Sequence, residues 1–294
     1  MLNLLRAEWK KTVWNYVLTG FLVWGFPVGV AGLYGVMLIA GLFSRESLEG
    51  LLGSGGGNWT EDAIGGWGML LAFPFTILSR MMPLAFMAAV FAGEYQSGMW
   101  KNLIPRNRRP LLILSKMAVI IGLITIALVV TSALIVAGQG IGRTGLGWEY
   151  GPALSGGVVS DFLTRYGQTV LLGVLSLIIL AAIAALSAVI TRSVLGSLLV
   201  VFLFSTMDSL SMYLLMFLAR ILSAPDLAGL YRFTPQGSLS NAQYWFQTGG
   251  PMPLPFENFP YGPDLAFSLA MLVIWAVGLT ALTVAVFERQ DITA

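Results

Sequence analysis

The sequence predicts an all-α integral membrane protein of six transmembrane helices, with an N-terminal amphipathic helix at the membrane interface and an outer re-entrant segment before the last span. Composition, apolar run length and the placement of basic residues predict it. Hydrophobic residues make up 57% and charged residues 10% of the 294 positions, whereas a soluble globular domain carries about 25% charged residues. So charge-poor a chain cannot cover a water-facing surface with polar groups, and lipid must be part of its solvent. Its apolar runs are long enough, because about 20 residues at 1.5 Å rise cross the hydrocarbon core. Cysteine and histidine are absent, which removes disulfides, thiolate chemistry, Cys/His metal sites and histidine bases from consideration. The net charge of +2 creates no global field that points to nucleic acid.

Residues 1–13 mix Leu2, Leu4, Leu5 and Trp9 with Arg6, Glu8, Lys10 and Lys11, the pattern of an amphipathic helix lying on the membrane surface. A signal peptide is the competing reading; the following apolar run is too long for it and lacks a small-residue cleavage site. The predicted spans are 14–43, 67–92, 111–136, 170–190, 194–218 and 265–287. The first exceeds what a bilayer needs and contains Pro27, which predicts a tilt or a kink. Gly25 and Gly29 in that span, and Ala181, Ala184, Ala185 and Ala188 in the fourth, allow close helix approach.

Orientation follows from lysine and arginine near the span ends. With the N-terminus inside, Arg6, Lys10, Lys11, Lys101, Arg106, Arg108, Arg109, Lys116, Arg192 and Arg289 are cytoplasmic. Half as many, Arg45, Arg143, Arg165, Arg220 and Arg232, fall outside, so both termini are expected in the cytoplasm, in the manner of a bacterial cytoplasmic-membrane protein. The segment 219–264 is the largest outer piece. Tyr244, Trp245 and Phe246 suggest re-entry into the interface, and Pro251, Pro253, Pro255 and Pro260 rule out a long helix in its second half.

Two glycine-rich stretches fail as nucleotide sites. Residues 140–145, GIGRTG, fit a dinucleotide pattern but follow an apolar helix rather than a strand, and read better as an outer loop. The stretch around Gly53–Asn58 lacks the Lys-Ser/Thr that would hold phosphates. No Walker-type sequence exists, so any ATP used must be bound by another polypeptide.

The first inner loop, from Gly93 to Lys116, is the informative stretch. Gly98 and Pro105 punctuate it, and Trp100, Leu103 and Ile104 place apolar anchors on a short helix between those breaks. A positively charged loop that only sets topology and touches anionic lipid is the plainer alternative. The ordered pattern of Glu94, Gly98, Lys101, Pro105, Arg108, Arg109 and Lys116 resembles the loop between the second and third spans of ABC type-2 export permeases. The ending Phe287-Glu288-Arg289-Gln290-Asp291-Ile292 resembles that family's usual close. Met99 departs from the pattern, standing where the family often has threonine.

The resemblance implies a permease subunit of an ATP-binding-cassette exporter. In it the loop 93–110, with Glu94, Gly98, Trp100, Lys101, Leu103, Pro105, Arg108 and Arg109, docks on an ABC ATPase. Two permease chains pair, as homo- or heterodimer, and ATP and magnesium belong to the partner ATPase, leaving this chain without cofactor, metal or catalytic residues. The cargo expected is hydrophobic or amphipathic, such as a lipid, a peptide or an antimicrobial compound. A membrane scaffold driven by an ABC ATPase for signalling or mechanical work is the alternative, and an ion-coupled secondary transporter a second one. The latter would need ionisable residues in the membrane, and only Arg80 and Asp208 qualify. These two lie roughly 20 and 22 Å from the inner ends of their spans at 1.5 Å rise, so they are expected to meet as an intramembrane charge pair. That pair reads either as structure or as part of a switch or substrate path.

Overall fold

The computed structural model describes residues 2–52, 56–71, 80–100, 108–256 and 259–290. Helix α1 (Leu2–Val13) sets Leu4 and Leu5 against the core and leaves Arg6, Trp9 and Lys10 exposed. Helix α2 (Tyr16–Leu22) starts at Asn15, whose side-chain oxygen accepts from the Leu18 amide. It stops at Val23, and α3 (Gly25–Phe43) carries the chain on. The break has a simple cause. Pro27 has no amide hydrogen, and its ring collides with the carbonyl four residues back, so the helix restarts with Pro27 in its first turn. The kink expected from the sequence is therefore a break at Val23–Trp24.

Helix α4 (Arg45–Leu52), strand β1 (Gly57–Asn58), α5 (Trp59–Gly65) and α6 (Gly68–Leu71) follow. Next come α7 (Met81–Gln96) and α8 (Arg109–Gly145), then β2 (Tyr150–Gly151), which pairs parallel with β1. The chain continues through α9 (Gly156–Thr191), α10 (Val194–Ser209) and α11 (Ser211–Ile221). A 3-10 stretch (Pro225–Phe233), α12 (Pro235–Thr248) and α13 (Leu265–Arg289) complete it.

Helices α3, α8, α9 and α13 are each long and apolar enough to cross a membrane, and α10 with α11 forms a fifth candidate bent by 66°. This is a helical, multi-pass membrane protein. The expected second span, 67–92, passes through 72–79, which lie outside the described residues.

Two expectations need correction. The third and fourth spans were read as 111–136 and 170–190, with an outer loop between them. Instead α8 runs on to Gly145 and α9 begins at Gly156, so both helices project well past their apolar stretches. Hydropathy marks only the lipid-crossing part of a helix. Beyond it, α8 is held by polar contacts: Arg143 donates from Nε to Gln139 Oε1 at 3.0 Å and from Nη2 to the Leu52 carbonyl at 3.0 Å. The glycine-rich stretch 140–145 is thus the end of a helix, not a loop. At the same end of the bundle the Tyr150 hydroxyl donates to Asp62 at 3.0 Å. Burial and the Asp62 carboxylate push that phenol above its ordinary value, so it stays a neutral donor.

The second correction concerns the fifth span, read as one helix over 194–218. It breaks at Leu210 with neither glycine nor proline at the bend. Ser205, Asp208, Ser209 and Ser211 crowd the break. Such side chains compete for backbone groups and hold polar partners, which favours interruption of a helix.

Helix α9 is the centre of the bundle, packed against α7, α8, α10 and α13. Ala181, Ala182, Ala184, Ala185 and Ala188 are all fully buried, which lets neighbouring backbones come close. Thr283 of α13 donates to the Ala182 carbonyl across that contact at 3.1 Å. Gly173 has the same purpose: a Cβ there would stand 2.4 Å from the buried ring of Trp67. In the segment after α12, Pro253 and Tyr261 form an antiparallel bridge and both sides of it meet α12. Buried Asn241 donates to the Pro263 carbonyl and to Ser268, each at 2.8 Å, and accepts from the Met252 amide at 2.9 Å.

Gly173→Leu is expected to lower stability by about 1–3 kcal/mol through overpacking against Trp67. Thermal unfolding of the purified protein in detergent measures it, and an unchanged midpoint would mean that Trp67 leaves its slot freely.

Candidate functional site

The apolar run of the second span ends at Ala92, and α7 continues two residues further to Glu94 and on to Gln96. Gly98 terminates that turn with a positive φ of 65°, a conformation that favours glycine. Glu94 points back into the protein. Its Oε1 accepts from Lys116 Nζ at 2.6 Å and from Lys11 Nζ, and Lys116 donates also to Glu8 Oε2 at 2.7 Å. Lys116 is 1% exposed, and Glu8 and Glu94 are 4% exposed at their side chains. Two acids and two lysines from α1, α7 and α8 thus form a neutral cluster. Burial raises the Glu94 carboxyl, but Lys116 and Lys11 outweigh it and hold the group below the ordinary value of 4.5.

Trp100 lies beside this cluster. The Lys116 ammonium sits 5.6 Å from its ring centre, a cation–π contact. The Trp100 ring packs 4.8 Å from Phe287 and 5.6 Å from Tyr95. Arg109 at the start of α8 donates from Nη1 to the carbonyls of Phe287, Glu288 and Gln290, at 3.2, 2.6 and 2.9 Å. A guanidinium at the end of α13 satisfies carbonyls that have no helical partner and opposes the negative end of the helix dipole. Gln290 accepts from the Tyr95 hydroxyl at 2.8 Å and donates to the Val189 carbonyl of α9 at 2.9 Å. Five helices meet here, directly behind the loop.

Of the loop residues singled out in the sequence, Glu94, Gly98, Trp100, Arg108 and Arg109 are described; Lys101, Leu103 and Pro105 lie outside the described residues. Trp100 was expected as a surface anchor on a docking helix. It is 1% exposed, because Tyr95 and Phe287 enclose it, and so it is an internal strut. Glu94 and Arg109 likewise face inward, whereas Arg108 is exposed. Sequence reasoning missed Glu8, Lys11 and Lys116 as a bonded set. A signal was present: Lys116 stands inside an apolar run and needs an acid at its own depth, the argument applied only to Arg80 and Asp208.

Arg80 and Asp208 occupy one polar cluster without forming an ion pair. Arg80, 2% exposed, donates from Nε to the Leu70 carbonyl at 2.8 Å. Its Nη1 reaches Ser209 at 3.3 Å and Ser205 at 3.4 Å, and its Nη2 reaches Gln236 Oε1 at 3.4 Å. Asp208 instead accepts the backbone amide of Gln236 at 3.0 Å. Gln236 lies in the first turn of α12, so the counter-charge for Asp208 is a helix N-terminus. The expected direct pair is therefore replaced by Gln236 standing between the two charges. The partners that separate the two charges came from α12, which carries no charge that a sequence scan would notice.

Lys116→Met leaves buried Glu8 without its cation and Glu94 with Lys11 alone, and is expected to cost about 3–5 kcal/mol. The triple variant with Glu8→Gln and Glu94→Gln should regain much of it in detergent melting curves. The share due to Glu94 is complete above pH 4.5 and is lost as the pH falls through its lower folded value, so the difference between wild type and Glu94→Gln should shrink there. For the second cluster, a double-mutant cycle between Arg80→Met and Gln236→Leu is expected to give a coupling of about 0.5–1.5 kcal/mol. Zero coupling would remove Gln236 as the bridge.

No curated protein matches the chain. A sequence profile described as ABC-2 family transporter protein matches residues 52–208. The match runs from the end of α4 through Arg80, the Glu94–Lys116 contact and all of α9 to Asp208 at the bend. It covers more than half of the 294 residues, and the chain belongs to the ABC-2 family of transporter proteins.

Proposed function

We propose that this ABC-transporter permease is the transmembrane subunit of an exporter, with both termini in the cytoplasm. A separate ABC ATPase docks on the loop 93–110, and ATP and magnesium are bound there and not in this chain. Two permease chains pair to frame the path, and the cargo is hydrophobic or amphipathic. The chain itself hydrolyses nothing.

The observation that carries this reading is the block behind the loop. Glu94 and Lys116 join the helices on either side of it, Glu8 and Lys11 add α1, and Arg109 adds the end of α13. A loop on a soft support would absorb a push. Here the loop is rooted in bonded, buried groups, so a displacement imposed by an ATPase is carried into α1, α7, α8 and α13 together. Segment 219–264 supports the same reading at the other end. Its helix α12 grips the bent fifth span through Gln236 and the last span through Asn241, which couples the bend to the far mouth of the bundle.

The docking claim is tested by pull-down of the cognate ATPase with the double variant Leu103→Asp and Arg108→Glu. The expected result is loss of the ATPase with membrane insertion intact, whereas equal recovery would reject the loop as the docking site. Glu94→Gln, in contrast, should keep the ATPase bound and lower the transport driven by each ATP.

A further inference from the structure

Helix α1 uses its two sides differently. Glu8 and Lys11 turn inward and are consumed by the buried cluster. Arg6 and Lys10, one turn apart on the other side, have no ion pair among the described residues. They stand with Leu5 and Trp9 at the rim of a groove of about 570 Å³ between α1 and α8, walled on the far side by Ala118 and Val119. Among the described residues no acid lines this groove, although Glu8 belongs to the same helix.

The floor of the groove is shaped for a chain. Ala118 is exposed and Gly122 lies under Trp9, whose ring would be 3.9 Å from a Cβ at that glycine. Exposed Ile126 and Val129 continue the same face of α8. The spacing 118, 122, 126, 129 keeps one side of the helix, and it extends about 16 Å along the axis at 1.5 Å per residue. Two cations, an indole and a long apolar floor are the features that a phospholipid with an anionic headgroup satisfies together.

We infer that the groove between α1 and α8 is a binding site for one anionic phospholipid, its phosphate held by Arg6 and Lys10 and one acyl chain laid beside the Trp9 ring on Ala118, Ile126 and Val129. This rests on the reading that α1 lies at the inner membrane surface. The bound lipid sits against the back of the charged cluster, through Lys10 and its neighbour Lys11, and so ties the supporting block to the inner leaflet.

The full chain is reconstituted in bilayers of phosphatidylglycerol and phosphatidylethanolamine, released, and weighed intact with its retained lipid. Wild type is expected to keep one phosphatidylglycerol. Arg6→Gln with Lys10→Gln should weaken retention roughly thirtyfold, from the loss of two surface cations. Ala118→Leu, which fills the groove without changing charge, should also release the lipid, while Arg289→Gln should not. Equal retention in the double variant, or in Ala118→Leu, would overturn the site, and equal loss in Arg289→Gln would reduce it to general attraction between charges. A cysteine variant at Asn3, in a chain with no other cysteine, separates the underlying reading. Labelling by an impermeant reagent from outside would reject the placement of α1, and the site with it. Inside placement with unchanged retention would reject the site alone.

Discussion

A charge taken out of water must be neutralised where it stands, and in a membrane protein this constraint decides which helices meet. Lys116 is the clearest case. Its ammonium is nearly inaccessible and lies two turns inside α8. It stays there because Glu94 reaches it from α7 and Glu8 from α1. Glu8 has Lys116 as its cation, Glu94 takes both Lys116 and Lys11, and Lys116 is neutralised by the two acids. These contacts join α1 to α7 and α8 beside its apolar side chains Leu4, Leu5 and Val13, which pack on the core.

The same rule at mid-bundle has a different solution. Arg80 is satisfied by a carbonyl, two hydroxyls and an amide, and Asp208 by the start of a helix. Neutral groups surround both charges, so neither side chain depends wholly on the other. The geometry explains why the fifth span is bent. Ser205 and Ser209 face Arg80, Asp208 faces α12, and a straight helix could not carry its lower half toward the 3-10 stretch while presenting all three.

Much of the fold was legible in the sequence, and the reasons are specific. Long apolar runs marked α3, α8, α9 and α13, and Pro27 marked the break before α3. The glycine at position 98 marked the end of α7. What escaped were features that depend on partners distant in sequence. The polar extensions of α8 and α9 carry no hydropathy signal, since they are held by contacts such as Arg143 with Leu52. The bend at Leu210 has no breaker residue of its own. In the site, Glu94 and Arg109 stood out in the sequence among the residues of a docking loop, but the inward direction of both side chains did not. A pattern of charges along a chain does not say which face another helix will cover, and Trp100 read as an anchor because an exposed and an enclosed indole look alike in sequence.

The contact between Glu8 and Lys116 spans 108 residues of chain. During synthesis the helix bearing Glu8 emerges long before its lysine exists. Until α8 has formed, Glu8 lacks the lysine that neutralises it, although Lys11 can already meet Glu94 of α7. Burial of Glu8 is therefore a late event that follows insertion of the third span. The order of manufacture makes the closing of this cluster a late step, for a chain that stops before Lys116 can join its first helix to α7 through Lys11 and Glu94 but leaves Glu8 without a cation.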